Sequence, residues 1–170
     1  MRGQLIRRPL CLGPVLLVPL LQLGNPPLLR LDGVPPCWSV LWLLPWALVD
    51  GRRSGLLMAL ALGLLVDALH LDGPSVLPAL LLLGWWYGRI GLRAPPIQRS
   101  LNLGLLALLG AALLNLSVLA QLWIADWPRM SSSALDGVLV TAVLQVLITA
   151  LLAPLCCSPL LLLWRRLAPV

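Results

Sequence analysis

Long apolar runs, broken at intervals by arginine, aspartate, glycine and proline, set the pattern of this chain. A membrane-spanning helix needs about 20 mostly apolar residues. The breaks leave six such segments, near 9–24, 37–49, 54–71, 74–88, 101–124 and 137–164. The pattern predicts an all-α integral membrane protein, a compact bundle of about six transmembrane helices forming one polytopic domain over residues 1–170. The first two segments are the least regular. Pro9, Pro14 and Pro19 interrupt the first, and "NPPLLRLDGVPP" separates it from the second.

The start, "MRGQLIRRPLCLGPVLLVPLLQLG", has the basic opening and short apolar run of a signal peptide. No clear small-x-small cleavage site follows, so it reads as a retained first span. Removing it would leave five spans and export one terminus.

Composition supports the membrane reading: 60% of the residues are hydrophobic, 11% are charged, and the mean hydropathy is +0.97. That is too little charge to clothe a soluble core of this length, so lipid is expected to cover it. The net charge of +6 does not point to nucleic acid, because the arginines punctuate apolar segments instead of clustering on a solvated face. Their distribution predicts orientation instead. Ten of the 12 basic residues, Arg2, Arg7, Arg8, Arg52, Arg53, Arg89, Arg93, Arg99, Arg165 and Arg166, fall on the side of both termini. Arg30 and Arg129 fall on the other, with Asp32, Asp72, Asp126 and Asp136. The positive-inside rule then places both termini in the cytoplasm.

Tryptophan favours the headgroup zone at both membrane faces. Trp38, Trp42, Trp123 and Trp127 are expected at outer ends of spans, and Trp46, Trp85, Trp86 and Trp164, with Tyr87, at inner ends. Cys11, Cys37, Cys156 and Cys157 show no C-x-x-C and no histidine at ligand spacing. They read as small apolar fillers, and no metal or cofactor is expected.

The stretch "GLLVDALHLDG" holds the candidate chemistry. Gly55, Ala59, Gly63 and Asp67 recur every four residues, along one ridge of a helix. Small residues on such a ridge permit close helix approach, so Asp67 should face a neighbouring helix. His70, the single histidine, falls three residues further on, within reach of Asp67 if the helix continues. The sharper reading is a proton or substrate site. The plainer one, favoured here, is a polar clamp between helices, with Asp72 a solvated turn residue and Pro74 opening the next helix.

Thr141, Gln145 and Thr149 form a polar ridge on the last segment, and Asn115, Ser117 and Gln121 are candidates to hydrogen-bond across to other helices. A polar transport path is the alternative. Gly84 and Gly88 form a G-x-x-x-G that reads as packing, the alternative being a self-association face. The arginine-rich "RIGLRAPPIQRS" after it suits anionic lipid or a cytoplasmic partner. With one histidine, no glutamate and no recognisable nucleophile motif, the chain offers few acids or bases, and no enzymatic activity is expected.

The segment "GVPPCWSVLWLLPWALVDGRRSGLLMALALGLLVDALHLDGPSVLPALLLLGWWYGRIG" resembles the rod shape-determining protein MreD family. The likeness lies in Pro35 and Pro36 before the second span, in Gly55, Gly63, Leu64, Leu65 and Asp67 on the third, and in the turn at Gly73. "PPCW…LPWAL" and "GWWYGRIG" are similar to its cyanobacterial branch. The resemblance implies a non-enzymatic component of the cell-wall elongation machinery (the elongasome) in the bacterial inner membrane. Its partners would be MreC and, through it or directly, MreB and the glycan polymerase and transpeptidase of peptidoglycan synthesis. It also implies a fold like the substrate-binding membrane subunit of energy-coupling-factor transporters, which raises the alternative of a small-solute transporter subunit.

Overall fold

The computed structural model describes residues 17–24, 32–69, 73–93, 100–126 and 132–167. Six helices form among them and no strand: α1 (Leu17–Gly24), α2 (Trp38–Asp50), α3 (Arg52–Leu69), α4 (Leu77–Arg93), α5 (Ser100–Asp126) and α6 (Ser132–Leu167). The expected segments at 37–49, 54–71, 74–88, 101–124 and 137–164 each correspond to one helix, α6 starting five residues earlier. His70 and Asp72 lie outside the described residues, as do residues 9–16 of the first segment, Cys11 and Trp127.

α2 is the centre of the bundle, in contact with all five other helices. Its sequence, WSVLWLLPWALVD, is apolar around its circumference apart from Ser39 and the terminal Asp50, as suits a helix with no outer face. At 13 residues it rises only about 20 Å, short of the roughly 30 Å of a bilayer core. Gly51, at φ 87°, ends it and reverses the chain into α3, a conformation that glycine adopts without steric cost.

Pro45 lies inside α2 and lacks the N–H that would bond the Leu41 carbonyl one turn back. The Cys157 thiol on α6 donates to that carbonyl instead, at 3.3 Å. Cys37 and Cys157 are both buried in the core, so these two cysteines do fill space, but Cys157 also satisfies a backbone group.

The core position of α2 corrects the expected tryptophan belts. Trp46 and Trp164, assigned by pattern to an inner headgroup zone, are buried, and Trp42, assigned to the outer zone, meets Trp164 edge-to-face with ring centroids 5.2 Å apart. Trp46 packs on the same ring at 5.0 Å and donates its indole N–H to Ser54 Oγ at 2.9 Å. Tyr87 is likewise buried and donates its hydroxyl to the Leu106 carbonyl at 2.8 Å. Trp42 and Trp46, two of the three tryptophans of α2, lie one turn apart and reach the same Trp164 ring, so these aromatics are interior anchors. Trp85 and Trp123 are exposed.

α5 and α6 differ from the rest. Among the described residues they are the two helices long and apolar enough to cross a membrane. They pack along each other and turn large apolar side chains outward, including Leu116, Ile124, Leu151 and Leu155.

Candidate functional site

Two ends of the α3–α4 pair carry the polar groups. At one end α3 begins with Arg52 and Arg53, and α4 approaches its end with Arg89. The Arg52 and Arg89 guanidinium carbons lie 5.9 and 5.5 Å from the Trp85 ring centroid, cation–π distances. Asp67 occupies the opposite end.

Small residues bring the two helices together between those ends. A Cβ added at Gly84 would lie 2.5 Å from the Gly55 carbonyl oxygen and 2.8 Å from Ala59 Cβ. At Gly88 it would lie 2.6 Å from Arg52 Cα, and at Gly63, 3.0 Å from Leu77 Cα. The Gly55–Ala59–Gly63 ridge and the Gly84–Gly88 pair thus lie against the same interface, backbone close to backbone. The G-x-x-x-G face is covered within the chain.

Asp67, one turn beyond Gly63, meets the start of α4. Its Oδ1 accepts the Val76 N–H at 2.9 Å and its Oδ2 accepts the Ser75 hydroxyl at 2.6 Å. The carboxyl group therefore takes up a donor that helix geometry leaves unpaired, and its oxygens sit at the positive end of the α4 dipole. Ser75 Oγ also accepts the Leu77 N–H at 3.3 Å. Gln121 of α5 completes the arrangement: its Oε1 accepts the Ser75 N–H at 2.9 Å and its Nε2 donates to the Ser75 carbonyl at 2.8 Å. One residue of the turn is held from α3 and from α5.

The α6 ridge divides into three different roles. Thr149 is buried, accepts the Cys37 N–H at 2.9 Å and donates to its own helix at the Gln145 carbonyl. Gln145 Oε1 accepts from Asn115 Nδ2 on α5 at 3.0 Å, and that amide also donates to the Ala111 carbonyl at 2.9 Å. Thr141 is exposed and donates to the Gly137 carbonyl of its own helix, so the structure does not bring it to the other two. Ser117 accepts from Gln121 Nε2 at 3.3 Å.

Asp67, Asn115 and Gln145 share a cavity of about 240 Å³. It lies between α1, the start of α2, the α3–α4 turn, α5 and α6, with Gln22 and Ser39 adding polar groups and Val66, Leu114 and Val118 apolar walls. Gln22, Ser39 and Ser75 were not singled out from sequence. Each had a faint signal, a lone polar residue in an apolar helix or a serine just after Gly-Pro, but neither shows which space the side chain enters.

Set against models of protein families, curated proteins and solved structures, the chain matches none of them. Its class rests on its sequence and structure: among the described residues, a helical bundle with two membrane-length apolar helices and, at one end, a cavity with polar groups in an apolar wall.

Proposed function

We propose that the protein is a non-enzymatic, multi-pass scaffold of the bacterial inner membrane, of the MreD type. It links MreC, and through it or directly MreB, to the polymerase and transpeptidase of cell-wall elongation. The observation that carries the membrane part is the outer face of α6. Leu139, Val143, Leu147, Leu151 and Leu155, four residues apart, are all exposed. A continuous apolar ridge of this kind needs lipid or a partner helix to cover it. The cell-wall assignment rests on the sequence resemblance across "GVPPCW…GRIG", the segment that folds as α2, α3 and α4.

Both termini lie in the cytoplasm in this reading, with Arg52, Arg53 and Arg89 at the cytoplasmic end and Asp67 toward the far side. Co-purification from membranes recovers MreC, and depletion in a rod-shaped host rounds the cells. Normal shape together with absence of MreC from the pull-down sinks the proposal.

The cavity beside Asp67 favours a second reading, the membrane substrate-binding subunit of a small-solute transporter. Saturable uptake that Asp67→Ala abolishes would support it over the scaffold. Intact assembly with MreC and no uptake would remove it.

A further inference from the structure

The cavity has more hydrogen-bonding capacity than its own walls use. Gln22 Oε1 on α1 is buried with no partner among the described residues. Asn115 spends its amide N–H groups on Ala111 and Gln145, and no donor among the described residues reaches its Oδ1. Gln145 accepts from Asn115, while its own Nε2 makes no bond there. Ser39 is buried in the same wall. The unpaired Gln22 oxygen and the unused bonding sites of Asn115 and Gln145 therefore belong to residues that line one space, and for the buried Gln22 oxygen the lack of a partner is costly.

Charge narrows what can fill that space. Asp67 is the acidic residue of the lining, and both its oxygens already accept hydrogen bonds from the start of α4. Those oxygens lie at the positive end of the α4 dipole, which already supplies favourable electrostatics on that side. The remaining polar groups are amides and a hydroxyl, which are neutral, and a primary amide offers one donor edge and one acceptor edge in either orientation of its oxygen and nitrogen. Val66, Leu114 and Val118 supply apolar walls beside them. The volume of the cavity is about 240 Å³. It suits a single small ring better than a large substrate.

We propose that this cavity is a binding site for a small neutral molecule that has an apolar ring with an amide or lactam edge. Gln22 and Gln145 bind the edge, Ser39 and Asn115 flank it, and the valine and leucine walls hold the ring. Asp67 is a positioning residue, fixing the α3–α4 turn that forms one wall. The site is independent of the scaffold reading, and binding can fail while MreC is still recovered.

The test uses the full chain in lipid nanodiscs, with benzamide and thymine as probes and titration calorimetry as the readout. Both are expected to bind saturably and to compete with each other. Gln145→Leu and Gln22→Leu each weaken binding at least tenfold, whereas Thr141→Val, on the exposed face of α6, leaves it unchanged. Thermal unfolding followed by tryptophan fluorescence checks that the variants are folded. Gln22→Leu, on the short peripheral α1, is the second variant should Gln145→Leu lose the fold. Benzylammonium and benzoate, with the same ring but a charge, bind at least tenfold more weakly than benzamide. Absence of saturable benzamide and thymine binding, equal binding by folded Gln22→Leu, or tighter binding of benzylammonium overturns the proposal.

Discussion

The α2–α3–α4 unit and the α5–α6 pair are both apolar and helical, yet they are joined by different means. In the first, glycines remove the side chain from the contact, so that Gly84 lies on Gly55, Gly88 on Arg52, and Gly91 on the Leu48 carbonyl. In the second, the helices keep leucines and valines around their circumference and connect through side chains, as at Asn115 and Gln145. Gly104, facing the Ala150 carbonyl, is the α5 glycine that lies against α6. Close backbone approach gains dispersion contact without needing the hydrophobic effect, which lipid weakens as a driving force between helices. Its cost is intolerance: where backbones touch, a single added carbon has nowhere to go.

The largest expected effect follows from that intolerance. Gly88→Ala puts a Cβ 2.6 Å from Arg52 Cα and 2.7 Å from its nitrogen, backbone atoms that cannot rotate away. A loss of about 3 kcal/mol is expected, the upper range for overpacking. Gly104→Ala is the matched substitution in the other region, where the new Cβ lies 3.2 Å from one carbonyl oxygen. Its strain is small, and alanine's better helix propensity of about 1 kcal/mol offsets it. Thermal unfolding in detergent measures both. Equal losses would mean that the two regions are not packed differently.

Asp67→Ala is expected to cost about 2 kcal/mol, because the Val76 N–H and Ser75 hydroxyl lose their acceptor together at the start of α4. Asp67→Asn keeps an acceptor for Val76 and leaves the Ser75 hydroxyl free to turn and accept. It should cost less than about 1 kcal/mol. The pair of variants separates clamp from proton chemistry. If Asn preserves stability but destroys a pH-dependent activity, Asp67 carries protons; if Asn preserves both, it is a clamp.

How much of this was legible in the sequence depends on the range of each contact. The helices were readable because arginine, glycine and proline clusters break the apolar runs, and the Gly55–Ala59–Gly63–Asp67 ridge because its spacing is local. The partner of that ridge was not readable, since periodicity gives a face but not what covers it. Gln121 and Ser75 are 46 residues apart, and Cys37 and Thr149 are 112 apart. The tryptophans misled for a related reason. A Trp near the end of an apolar run suits either a headgroup zone or a crowded core, and only the central place of α2, set by five neighbours, decides for Trp46.

A smaller effect than that of Asp67→Ala lies where the two regions meet. Pro45 on α2 leaves the Leu41 carbonyl without its helical donor, and Cys157 on α6 supplies one from a thiol at 3.3 Å. A thiol is a weak donor, so Cys157→Ala should cost only about 1 kcal/mol, part of it from the packing lost with the sulfur. A double-mutant cycle separates the two contributions. Pro45→Ala restores a backbone N–H one turn beyond Leu41, and in that background the carbonyl no longer needs the thiol. The packing loss is then common to both arms and cancels, so any reduction in the cost of Cys157→Ala measures the hydrogen bond itself. A cost that is the same in the parent chain and in the Pro45→Ala background would show that Cys157 joins α6 to α2 by packing alone. The side-chain bond would then have no part in holding the glycine-packed region to the leucine-rich pair.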